Sequence, residues 1–217
     1  MIFGLKFTFL ERYYSFYLRG LSMTLQLAIF AVLFGTVFGI IIGLMRISKN
    51  KPMALISSSY VNFIRGIPIM VQIYIIYYGM SLNIPDFWAA VAALTVNSSA
   101  YIGEHVRAGI QAVDKGQMEA ARCVGMPYMK AMRLIVIPQA IKNILPSLCN
   151  EFILLIKNTS VVSIIGLHEL TYLSNAIRAN TYLAFEPLIV TAFVYFCVTY
   201  ILKKLVGILE RRLKESD

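Results

Sequence analysis

Between Arg19 and Arg46 the chain carries no charged side chain. About 20 apolar residues cross the hydrocarbon core of a bilayer, and the stretch from Gly20 to Met45 is longer than that. A water-soluble fold would have to cover such a segment on every side, whereas a membrane accepts it as it stands. The rest of the composition agrees. Hydrophobic residues make up 59% of the 217 residues and charged ones 14%, against about a quarter charged in soluble domains, and the mean hydropathy is +0.71. The run is too long for a signal-peptide core and lacks a clear small-residue cleavage site, so it is expected to be retained. Gly35, Gly39 and Gly43 recur every four residues along it, a stripe that lets a second helix approach closely. Packing within the chain is the preferred reading over a contact between two copies.

Further apolar stretches follow: Ser57 to Met80, interrupted by Arg65-Gly66-Ile67-Pro68, then Phe87 to Val106, Ile144 to Ile165 and Pro187 to Leu202. An all-α, polytopic membrane protein with five transmembrane helices is expected, as one domain covering residues 1–217. Residues 1–19 mix charge with aromatics and read as an interfacial helix leading into the membrane. The link from Ser81 to Asp86 carries one acid and no base. With five spans, the loop Arg46–Lys51, the stretch 107–142 and the tail 203–217 share one side and hold most of the Lys and Arg. The positive-inside rule makes that side cytoplasmic, with the N-terminus outside. The tail from Leu205 is expected along the inner interface. The net charge of +9 therefore belongs to membrane flanks; nucleic-acid binding would need basic residues gathered on one solvated face with stacking aromatics, and no nucleic-acid partner is expected.

Several chemistries are excluded. Cys123, Cys149 and Cys197 form no CxxC pair, and His105 and His168 stand isolated with no HExxH, so no disulfide framework or metal site is expected. No GxSxG and no nucleophile–base pairing is visible, which argues against an intramembrane enzyme and leaves no catalytic residue to name. No GxxxxGK[ST] occurs, so the chain has no phosphate-binding loop of its own.

The stretch 114–138 is polar, yet patterned as two short helices. Gln117 to Val124 suits the first, with Glu119 near its positive end and Ala120 and Ala121 as strong helix formers. Gly125 can end it in a left-handed conformation, and Pro127 suits the first turn of the next. In the second helix Tyr128, Met132 and Ile135 recur at helical spacing, and Pro138 is expected to stop it. Such a half-apolar hairpin either packs back on its own subunit or fills a groove in a partner.

Glu119-Ala120-Ala121, three residues, Gly125, nine residues and then Ile135-Val136-Ile137-Pro138 resemble the signature loop of ABC importer permeases, where Leu is usual in place of Ile137. Arg65-Gly66-Ile67-Pro68 with Val71-Gln72, Asn97-Ser98-Ser99-Ala100-Tyr101 and Lys157-Asn158-Thr159-Ser160 are similar to the polar amino acid permeases of the histidine, glutamine and arginine type. The resemblance runs from about residue 18 to the end. It implies a type I importer permease fold in which residues 114–138 form a cytoplasmic coupling hairpin. Glu119, Ala120, Ala121, Gly125 and Pro138 would then engage a separate ATPase subunit.

Charge at the bilayer centre costs about 2.5–3.5 kcal/mol on insertion scales and so faces a cavity or a partner. On the third span Asn97 and Glu104 lie seven apart, hence on one helical face, and on the fourth Glu151 and Asn158 do the same. Such residues serve either as polar glue between helices or as a midplane pocket for a zwitterion. Glu104 could simply pair with Arg107. An ammonium suits Glu104 or Glu151; an α-carboxylate suits Lys157 or the amides of a helix broken near Pro68 or Pro146. The family resemblance implies substrate contacts at Asn97, Ser98, Glu104, Glu151 and Asn158. Relatives often carry an acid where Asn158 stands, which leans the substrate towards a neutral or acidic amino acid such as glutamine or glutamate, while Glu104 and Glu151 leave a basic one open.

The expectation is thus a transmembrane subunit of a bacterial inner-membrane importer. It would move a polar L-amino acid by alternating access, with ATP and Mg on the partner ATPase and no cofactor in this chain. Its implied partners are an ATPase dimer, a second permease subunit, identical or not, an extracytoplasmic amino acid binding protein, and membrane lipid. The competing reading is an ATP-independent secondary amino acid transporter, which leaves the hairpin unexplained and lacks the usual internal repeat.

Overall fold

The computed structural model describes residues 5–79 and 84–214. The ends of the N-terminal segment 1–19 and of the tail 203–217, and residues 81–83 of the second link, lie outside the described residues. Every regular element among those described is helical. In chain order they are α1 (Leu10–Arg46), α2 (Lys51–Gly66), α3 (Ile69–Gly79), α4 (Asp86–Gln111), α5 (Lys115–Cys123) and α6 (Tyr128–Ala131). A π-helical turn (Met132–Val136), α7 (Ile137–Asn158), a 3-10 turn (Thr159–Ile165), α8 (Leu170–Thr181) and α9 (Glu186–Lys214) complete the chain.

Helices run further than the hydropathy pattern alone suggests. The aromatic-rich segment is, from Leu10, the first part of α1 itself, because no proline interrupts it and Gly20 is tolerated where α1 meets Leu170. The tail continues α9 without a break to Lys214. Pro138 does not stop a helix. It is the second residue of α7, directly after the π turn, where the Ile137 N–H bonds the Met132 carbonyl five residues back. The widened turn relieves the usual clash between a proline ring and the carbonyl four residues earlier, so the helical path continues. Pro146 also sits inside α7. Pro68, in contrast, does separate two helices, and α2 and α3 are bent by 106° across it.

Among the described residues, Leu10–Arg46, Tyr128–Ile165 and Glu186–Leu213 are long and apolar enough to cross a bilayer. Counting the bent pair α2 and α3 as one crossing raises this to four. The expected five is not reached on these criteria, because α4 has the length, at 26 residues, but carries Asn97, Ser98, Ser99, Glu104, His105 and Arg107.

The chain divides into two compact units. The first draws on Met1–Val32, Pro68–Thr95 and Phe152–Lys204. Its core joins Leu27, Ala28 and Ala31 of α1 with Ile73, Leu94, Leu155, Ile156 and Val162. A helix not anticipated in the polar link 166–186 packs here: α8 buries Leu170, Ser174 and Ile177, one face at helical spacing. Glu169 caps it. Its fully buried carboxylate accepts the N–H groups of Thr171 (2.8 Å) and Tyr172 (2.6 Å) and the Tyr195 hydroxyl (3.1 Å).

The second unit draws on Leu33–Ile67, Val96–Glu151 and Leu205–Asp217. Here the glycine stripe of α1 lies on α4. Gly35 faces Ser98, Gly39 faces Ile102 and Gly43 faces Val106. Each step of four along α1 is matched by a step of four in the same direction along α4, so the two helices run parallel. A Cβ on Gly43 would stand 2.7 Å from Val106 Cβ and 2.8 Å from the Gly103 carbonyl oxygen. The stripe thus packs within the chain, as preferred from the sequence.

Two outcomes test this account. Gly43→Leu would force α1 and α4 apart and is expected to lower stability by roughly 1–3 kcal/mol, read as a reduced thermal midpoint in detergent; an unchanged midpoint would refute the close approach. Burial raises the Glu169 carboxyl from its ordinary 4.5 to about 7, outweighing the bonds from Thr171, Tyr172 and Tyr195. The folded state therefore holds its proton more tightly than the unfolded one. The resulting stability is complete below pH about 4.5 and is lost as pH rises to about 7, roughly 3 kcal/mol in all. Thermal midpoints should fall across that window in the parent and stay flat in Glu169→Gln.

Candidate functional site

The polar hairpin and the polar faces of α4 and α7 carry the residues singled out in the sequence. Asp114 starts the hairpin, its side chain accepting the Gly116 N–H at 2.6 Å as the N-cap of α5. Gly125 ends α5 in the left-handed region at φ 82°, and the Arg122 guanidinium donates to the Met126 carbonyl at 2.9 Å across the turn. Pro127 then precedes α6. One face of the hairpin packs back on its own chain and the other is exposed. Ala121, Ala131 and Val136 are buried, and Val113, Val136 and Ala140 form a small core against which Met118 and Met132 pack. The other face carries Val124 (78% exposed), Met129 (74%) and Leu134, with Glu119, Ala120, Gly125 and Pro138 also exposed.

On α4, Asn97 and Ser98 are buried and Glu104 is an ion-pair hub. Arg46 from the end of α1 and Arg107 one turn along α4 both bond its carboxylate. Arg65, on the last turn of α2, approaches to 3.9 Å while its guanidinium lies 5.2 Å from the centre of the Tyr101 ring. The sequence anticipates Arg107; it does not anticipate Arg46, which reads as a loop charge, or Arg65, which reads as part of the Gly-Ile-Pro break. The Tyr60 hydroxyl donates to the Val96 carbonyl (3.1 Å) and pairs with Ser99 (2.8 Å), holding α2 to α4.

On α7, Glu151 is 3% exposed. Its Oε2 lies 3.7 Å from His105 Nε2, and its Oε1 is buried with no hydrogen-bond partner among the described residues. A buried carboxyl oxygen with no partner among the described residues is a signal worth weighing, since such atoms are nearly always satisfied. His105 is dismissed by the sequence reading as too isolated for a metal; the signal that could have found it is a titratable side chain inside a span, next to Glu104. Asn97, Ser98, Glu104 and Glu151 all belong to the second unit, and Asn158 belongs to the first, half-buried where α7 gives way to the 3-10 turn. Lys157 is exposed.

The family described as binding-protein-dependent transport system inner membrane component matches residues 35–215. The arginine transport system permease protein ArtQ of Bacillus subtilis (strain 168) is 40% identical over 93% of this chain and 94% of its own length. The probable glutamine ABC transporter permease protein GlnM of the same organism is 38% identical over 94% and 95%. The octopine transport system permease protein OccM of Rhizobium radiobacter is 38% identical over 89% and 84%. Among solved structures, the chain superposes with a TM-score of 0.92 and 48% identity on an amino acid ABC transporter crystallised with histidines, covering 96% of this chain and 99% of that one. The MetNI methionine ABC transporter in an inward-facing form shares the fold, with a TM-score of 0.81 and 20% identity over 94% and 98%.

Nothing stands within 4 Å of a Cβ built on Gly125, so substitution there meets only backbone strain. Gly125→Val should cost about 1–3 kcal/mol and Gly125→Asn markedly less, since Asn enters the left-handed region more readily. Limited proteolysis of the hairpin would report it: equal protection in the two variants would contradict the turn geometry.

Proposed function

The chain belongs to the family of binding-protein-dependent transport system inner membrane components, and from that premise we propose that it is the permease subunit of an importer for a polar L-amino acid, driven by ATP hydrolysis on a partner chain. The observation that carries the substrate part is Glu151, a carboxylate buried within a helix long enough to span, with one oxygen unfilled. An α-ammonium group supplies what that oxygen lacks. Asn97, Ser98, Glu104 and Asn158 are proposed as the further substrate contacts. In this set Glu104 acts through its arginines, because Arg46 and Arg107 already neutralise it and Arg65 is held at longer range beside Tyr101.

Five crossings remain the proposed topology. The parallel course of α1 and α4 supports a return of the chain between them. The polar side chains of α4 are buried or ion-paired within the chain, which removes most of their cost in a membrane. Residues 46–51, 107–142 and 203–217 then face the cytoplasm and the N-terminus lies outside. Residues 1–217 form one permease domain.

The exposed face of the 114–138 hairpin is proposed to dock into an ATPase subunit, with Glu119, Ala120, Gly125 and Pro138 at the contact and Ala121 seating the hairpin on its own chain. Its apolar side chains Val124 and Met129 sit on a short, capped and braced unit, suited to filling a groove. ATP and Mg belong to that partner. A second permease subunit and an extracytoplasmic binding protein complete the assembly, and closure of the ATPases drives alternating access. Relatives named for arginine, glutamine and octopine transport support a polar amino acid as the substrate. Asn158 in place of an acid favours a neutral or acidic one.

Purified complex in nanodiscs, with its binding protein, should hydrolyse ATP faster when one polar amino acid is added. Glu119→Lys should abolish that stimulation while the chain still inserts, and Glu151→Gln should leave the ATPase bound but lower substrate-stimulated turnover by about tenfold, one charge-assisted bond. If no amino acid stimulates and no ATPase copurifies, the ATP-independent transporter reading takes over.

A further inference from the structure

Between Glu169 and Glu186 the chain carries a single charged side chain, Arg178 in the last turn of α8. Both flanking acids are engaged within the chain: Glu169 caps α8, and Glu186 accepts the Lys6 N–H at 3.3 Å. Arg178 is largely unengaged. A guanidinium has five N–H donors, and among the described residues one is used, from Nη1 to Asn175 Oδ1 at 3.0 Å. Its Nε is buried without a partner, which leaves the Nη groups to meet a ligand. Arg178 is half-buried and lines an open depression of about 520 Å³ with Asn175, Ala179, Tyr182 and Ala184. Tyr182 is 94% exposed and holds the left-handed region at φ 56°, a costly conformation for a residue with a side chain. Thr181 fixes the turn, its hydroxyl donating to the Ile177 carbonyl (2.7 Å) and accepting the Leu183 N–H (3.4 Å).

A guanidinium facing an open depression suits a carboxylate, whose planar geometry it matches. A free amino acid is poorly served there, because no acid lines the depression to receive its ammonium. A bilayer is disfavoured as well. α8 buries Leu170, Ser174 and Ile177 and exposes Asn175, Ala179 and Asn180, whereas a lipid-facing helix shows its apolar side. Arginine beside an exposed tyrosine is instead the composition of a protein contact. In the proposed topology the link 166–186 joins the fourth crossing to the fifth and faces outside. We propose that Arg178 and Tyr182 form a docking surface for the extracytoplasmic binding protein. An acidic side chain of that protein enters the depression and meets Arg178, while Tyr182 packs against the surface around it. This rests on the importer reading and gives the binding protein a place on this chain.

The test is a titration of the permease–ATPase complex in nanodiscs with its purified, amino-acid-loaded binding protein, read as the concentration giving half-maximal stimulation of ATP hydrolysis. Arg178→Gln should raise that concentration by about tenfold, the loss of one charge-assisted bond, and Arg178→Glu by more. Arg178→Lys, which keeps the charge, should stay within about threefold. Tyr182→Asn tolerates the left-handed backbone but lacks the ring, and should weaken docking by about tenfold. Thermal midpoints of the complexes should match the parent, which separates docking from misfolding. Among single acid-to-lysine changes on the binding protein, one should restore the Arg178→Glu complex and weaken the parent. Half-maximal concentrations unchanged in both Arg178→Gln and Arg178→Glu overturn the proposal, as does the lack of any restoring change. Repeating the series in neutral and in anionic lipid identifies a membrane occupant. If Arg178→Gln alters only the thermal midpoint, and only in anionic lipid, the surface takes lipid and the proposal is overturned. If the parent is stimulated and the variants behave as it does, the docking surface alone is lost. If no binding protein stimulates the parent, the importer reading fails and the docking surface with it.

Discussion

The close approach of α1 and α4 along Gly35, Gly39 and Gly43 sets the geometry on which the charged part of the molecule depends. Without side chains on that stripe, the α1 backbone lies against Ser98, Ile102 and Val106, and the two helices are locked in parallel register. That register carries Arg46, at the last turn of α1, to Glu104 on α4. Arg107 reaches the same carboxylate from one turn away. An acid and two bases that would each be costly in an apolar medium thereby neutralise one another in part, and α4 keeps a polar face. Small residues and charge pairing are therefore one device: the glycines bring the backbones near enough for the ions to meet.

Backbone hydrogen bonding imposes the second constraint. A bilayer offers no water to an unpaired N–H or carbonyl, so helices persist unless a residue forces them apart. This explains why α1 absorbs the aromatic segment before it and α9 the basic segment after it. Prolines act according to their surroundings. Pro68 stands between α2 and α3, whereas Pro138 follows a π turn that has already opened the helix, and the path from Tyr128 to Ile165 stays helical. α8 is held differently, by a buried acid at its N-cap and by the Tyr195 hydroxyl donating to that acid.

Against this background the two polar features differ in kind. The hairpin is capped and braced and shows an apolar outer face, with Met118 and Met132 turned inward and Val124 and Met129 outward. Glu151 is the reverse, a buried acid whose polar capacity is incompletely used.

Much of this was legible in local sequence. The charge-free run to Met45 required a membrane, Gly125 between two helical patterns required a turn, Arg65-Gly66-Ile67-Pro68 marked a break, and the residues around Glu119 and Asn158 carried the family. These signals depend on spacing along one segment, which helical periodicity and backbone sterics translate directly into structure. The pairing of Arg46 with Glu104, the facing of His105 and Glu151, the helical course through Pro138 and the helix within the 166–186 link were decided only by the tertiary structure. The pairings join residues 58 and 46 positions apart in the chain, and no local pattern encodes which helix face meets which. The two helical outcomes depend on neighbours in space: a π turn that makes room for a proline ring, and a buried core that gives a short amphipathic helix somewhere to pack.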